Sequence, residues 1–161
     1  MAAKLSLAHH ERILAAARSA TDEWYVGTDL AVHLSDGSGG YRRVPWEDVE
    51  RAEWRSDFDQ LAIFEVAGWG ERERVTLVQV AEPGRLLELL RERVTKSVVY
   101  TSYAPVRRRA GLRVVGRRSP SGTGPIVWSY LLSPGLDPAD PDVDQVAEEA
   151  LAKARGEVEG W

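Results

Sequence analysis

Seven short segments of β-forming residues follow one another between residues 13 and 80, and this succession constrains the fold more than any other feature. The segments are 13–17, 24–28, 30–34, 41–44, 49–55, 61–66 and 74–80. Several of them alternate apolar and polar residues with period two, as strands with one buried face do. Glycine-rich turns at 36–40 and 67–70 separate some of the segments, since glycine adopts positive φ angles at little steric cost. The pattern predicts antiparallel β structure.

An amphipathic helix is predicted directly after the seven strands, over residues 83–96. Pro83 suits its first turn, where the missing N–H costs nothing. An apolar stripe at helical spacing comprises Leu86, Leu87, Leu89, Leu90 and Val94. We therefore expect a first domain at residues 8–97, an antiparallel seven-stranded sandwich or barrel that this helix caps.

The remaining residues, 98–161, repeat this arrangement on a smaller scale. Three strands are predicted at 98–103, 112–118 and 126–132, joined by a loop at 104–111 and a turn at 119–125. A last helix is expected to begin near Pro141 with Asp140 as its N-cap. Because three strands cannot cover their own apolar face, we expect this helix to pack across them. The fold class is thus α+β, and the sequence leaves open whether the two parts share one core.

Three short motifs lie within the first domain, at residues 11–14, 24–29 and 44–50. The second is an aromatic strand that ends in Thr28, and the third is an apolar-proline-aromatic-acidic turn that enters the next strand. Over residues 10–97 the chain resembles bacterial pleckstrin-homology-like domains, and as a whole it resembles uncharacterised actinobacterial proteins. The resemblance implies two bent antiparallel sheets with a helix at one end. It implies no catalytic residues, and the loop at 36–40 lacks the basic side chains that lipid-binding members use.

Charge is distributed unevenly over the second part of the chain. Residues 98–135 carry six arginines and no acidic residue, whereas residues 136–161 carry eight acidic and two basic residues. Candidate residues for binding an anion or a partner are Arg107, Arg108, Arg109, Arg113 and Arg117. Guanidinium groups bind phosphate bidentately, which favours a phosphate-bearing ligand or nucleic acid. The alternative is that the acidic helix neutralises these arginines within the fold or across a homodimer, and the acidic balance of the whole chain argues against general affinity for nucleic acid.

Two of the six tryptophans, Trp46 and Trp69, lie at predicted turns and are candidates for a partner surface. The alternative is that they close the end of the barrel. The three histidines do not have the spacing of a metal site, and we expect His33 at the surface.

No catalytic, cofactor-binding or metal-binding set can be assigned from the sequence. Cysteine is absent, which excludes disulfides, thiolate zinc sites and cysteine nucleophiles. No apolar run approaches the length of a signal-peptide core or a membrane span, so we expect a cytoplasmic protein. The sequence does not reveal the biological process. It favours a non-enzymatic protein-interaction or regulatory module that acts through a sheet edge or the tryptophan-bearing turns, either on a protein partner or by forming a homodimer.

Overall fold

Ten strands form three antiparallel sheets in the computed structural model, which describes residues 5–159. The first sheet has the order β1-β2-β3-β4 and the second has the order β5-β6-β7. The strands of these two sheets are β1 (Ile13–Arg18), β2 (Trp24–Thr28), β3 (Ala31–Ser35), β4 (Tyr41–Pro45), β5 (Val49–Arg55), β6 (Gln60–Glu65) and β7 (Val75–Gln79). All seven lie close to the segments that the alternation predicts.

The second part of the chain consists of a third sheet and the longer of the two helices. Helix α1 (Gly84–Ser97) leads directly into this sheet, which has the order β10-β9-β8. Its strands are β8 (Val98–Arg107), β9 (Ala110–Arg117) and β10 (Val127–Leu132), and helix α2 (Pro141–Val158) follows them. The α+β class, the predicted number of strands and both helices are confirmed.

The first two sheets and α1 contribute to one hydrophobic core. Leu86 and Leu90 of α1 are fully buried there together with Val32 of the first sheet and Ile63 of the second. The leucine stripe therefore enters the interior that the two sheets line, as its helical spacing predicts. Gly27 on β2 permits the close approach, because a Cβ atom at this position would lie 2.5 Å from a methyl carbon of Leu89.

A second core lies between α2 and the third sheet. Val143, Ala147 and Ala154 of α2 are buried against Leu112 and Val114 of β9. The helix begins as predicted, because the side chain of its N-cap Asp140 accepts a hydrogen bond from the backbone N–H of Asp142 at 3.0 Å. No helix within residues 5–159 is long and apolar enough to cross a membrane.

The predicted loop at 104–111 is wrong. Strand β8 continues to Arg107, and the chain reverses over the two residues Arg108 and Arg109 before β9 begins at Ala110. Arg109 takes the left-handed conformation, with φ 64°, that a tight reversal requires. Pro105 made this segment look irregular, but β8 is an edge strand, where the absence of one N–H donor is tolerated.

Candidate interaction surfaces

The five candidate arginines do not form one patch. Arg107 forms an ion pair with Asp140 at the start of α2, so one member of the cluster is neutralised within the chain. Arg108 and Arg109 are exposed at the β8–β9 turn. Arg113 is exposed on β9, opposite Tyr103 of β8 in the sheet register. Four of the five therefore remain at the surface, in three different settings.

Arg117 is the exception, because it is 4% exposed and joins the two parts of the chain. Its guanidinium donates hydrogen bonds to the carbonyl of Val94 at 3.3 Å and the hydroxyl of Ser97 at 3.2 Å, both on α1. A third bond, at 3.0 Å, reaches the carbonyl of Glu50 on β5. Burial lowers the pKa of Arg117, and the neighbouring Glu50 carboxylate opposes that shift. The prediction that Arg117 contributes to an anion-binding surface is wrong, because its donors serve the interior.

Trp46 also belongs to the interior. It lies in a single 3₁₀ turn, Trp46–Asp48, and has 0% of its surface exposed. Its indole N–H donates to the carbonyl of Thr28 at 2.9 Å, at the end of β2. The prediction of a partner surface at Trp46 is therefore wrong, because this tryptophan belongs to the first hydrophobic core.

Trp69 is half-buried in the segment between β6 and β7 and packs against the second core. Its ring meets that of Tyr130 on β10 edge to face, with centroids 4.9 Å apart and an interplanar angle of 73°. This geometry is favourable for two aromatic rings. Trp69 thus connects the first part of the chain to the third sheet and retains some exposed surface.

A buried polar network that the sequence did not indicate surrounds Glu11. One carboxylate oxygen accepts from the hydroxyl of Thr28 and contacts Nε2 of His33 at 3.0 Å. The other accepts from the backbone N–H of Ala8 at 2.8 Å and from Arg43 at 3.2 Å. His33 is 1% exposed, so the expectation that it lies at the surface is wrong.

This network gathers residues from the segments that carry the resemblance. Glu11 comes from residues 11–14 and Thr28 from residues 24–29, and the carbonyl of Thr28 also receives the Trp46 bond. Burial alone would raise the pKa of Glu11, but the hydrogen bonds from Thr28, Ala8 and His33 together with the charge of Arg43 lower it to about 2. The polar residues of the motifs therefore hold the fold together at this point.

Strand β7 lies at one edge of the second sheet and pairs with β6 on one side only. The N–H of Val80 donates to the carbonyl of Asp59 at 2.8 Å, and the N–H of Glu65 donates to the carbonyl of Arg74 at 3.0 Å. With the antiparallel register of β6 and β7, these bonds direct the peptide groups of even-numbered β7 residues toward β6 and those of odd-numbered residues outward.

Two outward-facing residues of β7 leave their peptide groups unpaired. The carbonyl of Gln79 accepts a bond of 2.9 Å from Ala20, but within residues 5–159 no hydrogen bond reaches the outward peptide groups of Val75 or Leu77. Apolar side chains accompany these groups: Leu77 is 53% exposed, Val75 42% and nearby Phe58 70%. An edge with unpaired peptide groups and apolar side chains is suited to pair with another strand.

A groove of about 410 Å³ lies along this edge. One part of its lining comes from residues 74–77, and the rest comes from β2, β3 and β4 with the turn between β3 and β4. Its charged side chains have both signs, since Asp36 lies there with Arg42 and Arg74. Because Arg42 is already paired with Glu65 through two hydrogen bonds, the groove offers an extended chain backbone groups, apolar surface and the charges of Asp36 and Arg74.

No protein-family model, curated protein or solved structure gives a significant match to this chain.

Proposed function

We propose that this chain is a non-enzymatic protein-interaction module that recognises an extended segment of a protein partner at the free edge of β7. The main support for this proposal is that Val75 and Leu77 expose unpaired peptide groups and apolar side chains on one edge strand. A bound segment would form main-chain hydrogen bonds with β7, and its alternate side chains would face Leu77 and Val75. We expect that segment to carry apolar residues at every second position.

We also propose that residues 8–97 are a pleckstrin-homology-like domain, as the motifs suggested. The element order supports this proposal, because four strands form one sheet, the next three form another, and one amphipathic helix then packs into the core between them. The partner-binding edge would then belong to the second sheet of this domain.

Two proline substitutions at adjacent residues test the β7 proposal. The N–H of Leu77 faces outward, so Leu77→Pro removes an edge donor and the apolar side chain but no bond to β6. The N–H of Thr76 faces β6, so Thr76→Pro removes a hydrogen bond between β6 and β7. This variant shows how much binding is lost when the sheet itself is disrupted. Burying the exposed half of Leu77 contributes about 1 kcal/mol, or roughly fivefold in affinity, before the lost hydrogen bond is counted.

The binding experiment selects peptides from a random display library with the intact chain as target. We expect the selected peptides to alternate apolar and polar residues and to bind Leu77→Pro at least about tenfold more weakly than the unchanged chain. The control is Ile13→Lys, which alters another exposed aliphatic residue, 42% exposed against 53% for Leu77, on an edge strand of the first sheet. Peptides without alternation, or equal binding to Leu77→Pro, would contradict the proposal.

The same variants distinguish a second copy of the chain from another protein as the partner. Sedimentation equilibrium of the chain alone would show a dimer that Leu77→Pro dissociates if the edges of two β7 strands pair. A monomer at every concentration, together with peptide binding, would assign the edge to a different protein.

A further inference from the structure

A cleft of about 200 Å³ lies between the segment that connects β6 to β7 and strand β10. Trp69 and Tyr130 provide aromatic surface in it, and Glu50, Glu71 and Glu73 provide three carboxylates. Among residues 5–159, no lysine, arginine or histidine lines the cleft, although Glu50 and Glu73 each have an arginine partner beside it. This combination of an aromatic surface with acidic groups is suited to a positively charged ligand that has an apolar stem.

Glu50 is the buried member of the acidic set. Its side chain is 5% exposed, and its Oε2 accepts a hydrogen bond from the hydroxyl of Ser129 at 3.2 Å. Within the described residues its Oε1 accepts no hydrogen bond, and the nearest cationic nitrogen, Nη2 of Arg117, is 3.7 Å away. This distance makes Oε1 the ion-pair partner of Arg117 but is too long for a hydrogen bond. A ligand cation at Oε1 would add a charge-assisted hydrogen bond that Arg117 does not make.

The other two carboxylates have different partners and are more exposed than Glu50. Glu73 accepts a hydrogen bond from Arg51 at 2.8 Å, and Glu71 accepts one from the backbone N–H of Gly68 at 3.3 Å. The carboxylates of Glu71 and Glu73 would attract a cation by charge, whereas Glu50 would bind it directly.

We propose that this cleft binds a guanidinium or ammonium group on an alkyl stem. The cation donates to Oε1 of Glu50, and the stem lies against the rings of Trp69 and Tyr130. The cleft volume of about 200 Å³ is smaller than the roughly 300–1,000 Å³ of sites that bind drug-sized molecules. A smaller ligand of this kind would therefore fit. The ligand is thus one long basic side chain of a partner or a small free amine. The site does not depend on pairing at β7.

Nuclear magnetic resonance of the indole N–H groups tests the proposal. Trp69→Phe identifies the Trp69 signal among those of the other tryptophans. Three probes are titrated: Nα-acetyl-arginine N-methylamide, agmatine, and the uncharged analogue Nα-acetyl-citrulline N-methylamide. We expect saturable shifts of the Trp69 signal with the two cations and none with the citrulline compound. Equal shifts with citrulline, or no saturable shift with either cation, would overturn the proposal.

Three glutamine variants link the binding to the carboxylates. Glu50→Gln should weaken binding of the cation about tenfold or more, because a charged hydrogen bond is lost. Glu71→Gln, at an exposed position, should weaken it two- to threefold without affecting the fold. Glu88→Gln, on the exposed face of α1, is the matched control and should have no effect.

The comparison between probes identifies the source of the ligand. Agmatine binding as tightly as the arginine amide would indicate a free amine, and a clear preference for the amide would indicate a peptide side chain. Unchanged binding to both Glu50→Gln and Glu71→Gln would overturn the assignment to this cleft.

Discussion

Arg117→Met tests the role that the structure gives to the most deeply buried arginine of the cluster. The substitution keeps a long side chain but removes the guanidinium and its three hydrogen bonds, to Val94, Ser97 and the carbonyl of Glu50. It also leaves the carboxylate of Glu50 buried without its cation. The two parts of the chain would then lose a polar connection between α1, β5 and β9.

The expected loss of unfolding free energy is about 3 kcal/mol. Removing one partner of a buried ion pair costs roughly 3–5 kcal/mol, because the remaining charge stays in an environment of low polarity. The methionine side chain offsets about 1 kcal/mol of this through its own apolar burial. Since a domain of this size is typically stable by about 5–15 kcal/mol, the variant should still fold at 25 °C.

Urea denaturation at pH 7 provides the measurement, and Arg113→Met is the matched control. Arg113 lies on the same strand, β9, but is exposed and forms no ion pair among the described residues. We expect the control to change the unfolding free energy by less than about 0.5 kcal/mol.

A double-mutant cycle with Glu50→Gln completes the test. The two substitutions together should cost at least about 1 kcal/mol less than the sum of the single effects, because removing the carboxylate charge relieves the damage from Arg117→Met. A loss below about 0.5 kcal/mol in Arg117→Met, or full additivity in the cycle, would refute the account of Arg117 as a structural residue.

Three further predictions concern Glu11, Trp46 and two glycines. The pKa of Glu11, about 2 in the folded chain against 4.5 ordinarily, means that its carboxylate stabilises the fold above pH 4.5 and loses this effect as the pH falls toward 2. Glu11→Gln should therefore remove about 2 kcal/mol of the difference in unfolding free energy between pH 5 and pH 2.5, and identical acid dependence would count against the network. Trp46→Phe should lower the unfolding free energy by about 2 kcal/mol through the lost indole hydrogen bond and volume, and a loss below about 0.5 kcal/mol would disagree with its burial. In thermal unfolding, Gly156→Ala, at an exposed position of α2, should stabilise the chain by about 0.5–1 kcal/mol. Gly111→Ala should destabilise it, because the added Cβ would lie 2.5 Å from a carbonyl oxygen of β8. The reverse order of stability would contradict both expectations.

The strands and helices could be predicted because they follow from local geometry. Alternation with period two in several segments, together with the turn residues between them, located the seven strands before α1, since side chains on a strand point alternately to opposite faces. The leucine spacing located α1 and the Asp140 cap located the start of α2 for equally local reasons. The error at residues 104–111 arose because Pro105 is compatible with an edge strand, and the sequence does not state which strand lies at an edge.

The candidate surfaces could be predicted only in part. The sequence drew attention to a sheet edge, but which strand leaves peptide groups unpaired depends on the order of strands in each sheet. Two turn tryptophans were equivalent candidates, yet Trp46 is enclosed by both sheets and α1 whereas Trp69 packs on the side of β10. The residues next to β7 in the sequence do not show that it lies at an edge, and the residues next to Trp46 and Trp69 do not show which of them is buried.

The sequence by itself determined where the chain extends, coils and turns, because those choices depend on neighbours within a few residues. Only the tertiary structure decided which polar groups are buried. Arg113 and Arg117 have the same side chain on one strand, yet only Arg117 meets Glu50, which is 67 residues away along the chain. His33 likewise meets Glu11, 22 residues away. The burial of a charged or polar side chain requires partners that folding brings from distant segments, and periodicity does not encode those partners.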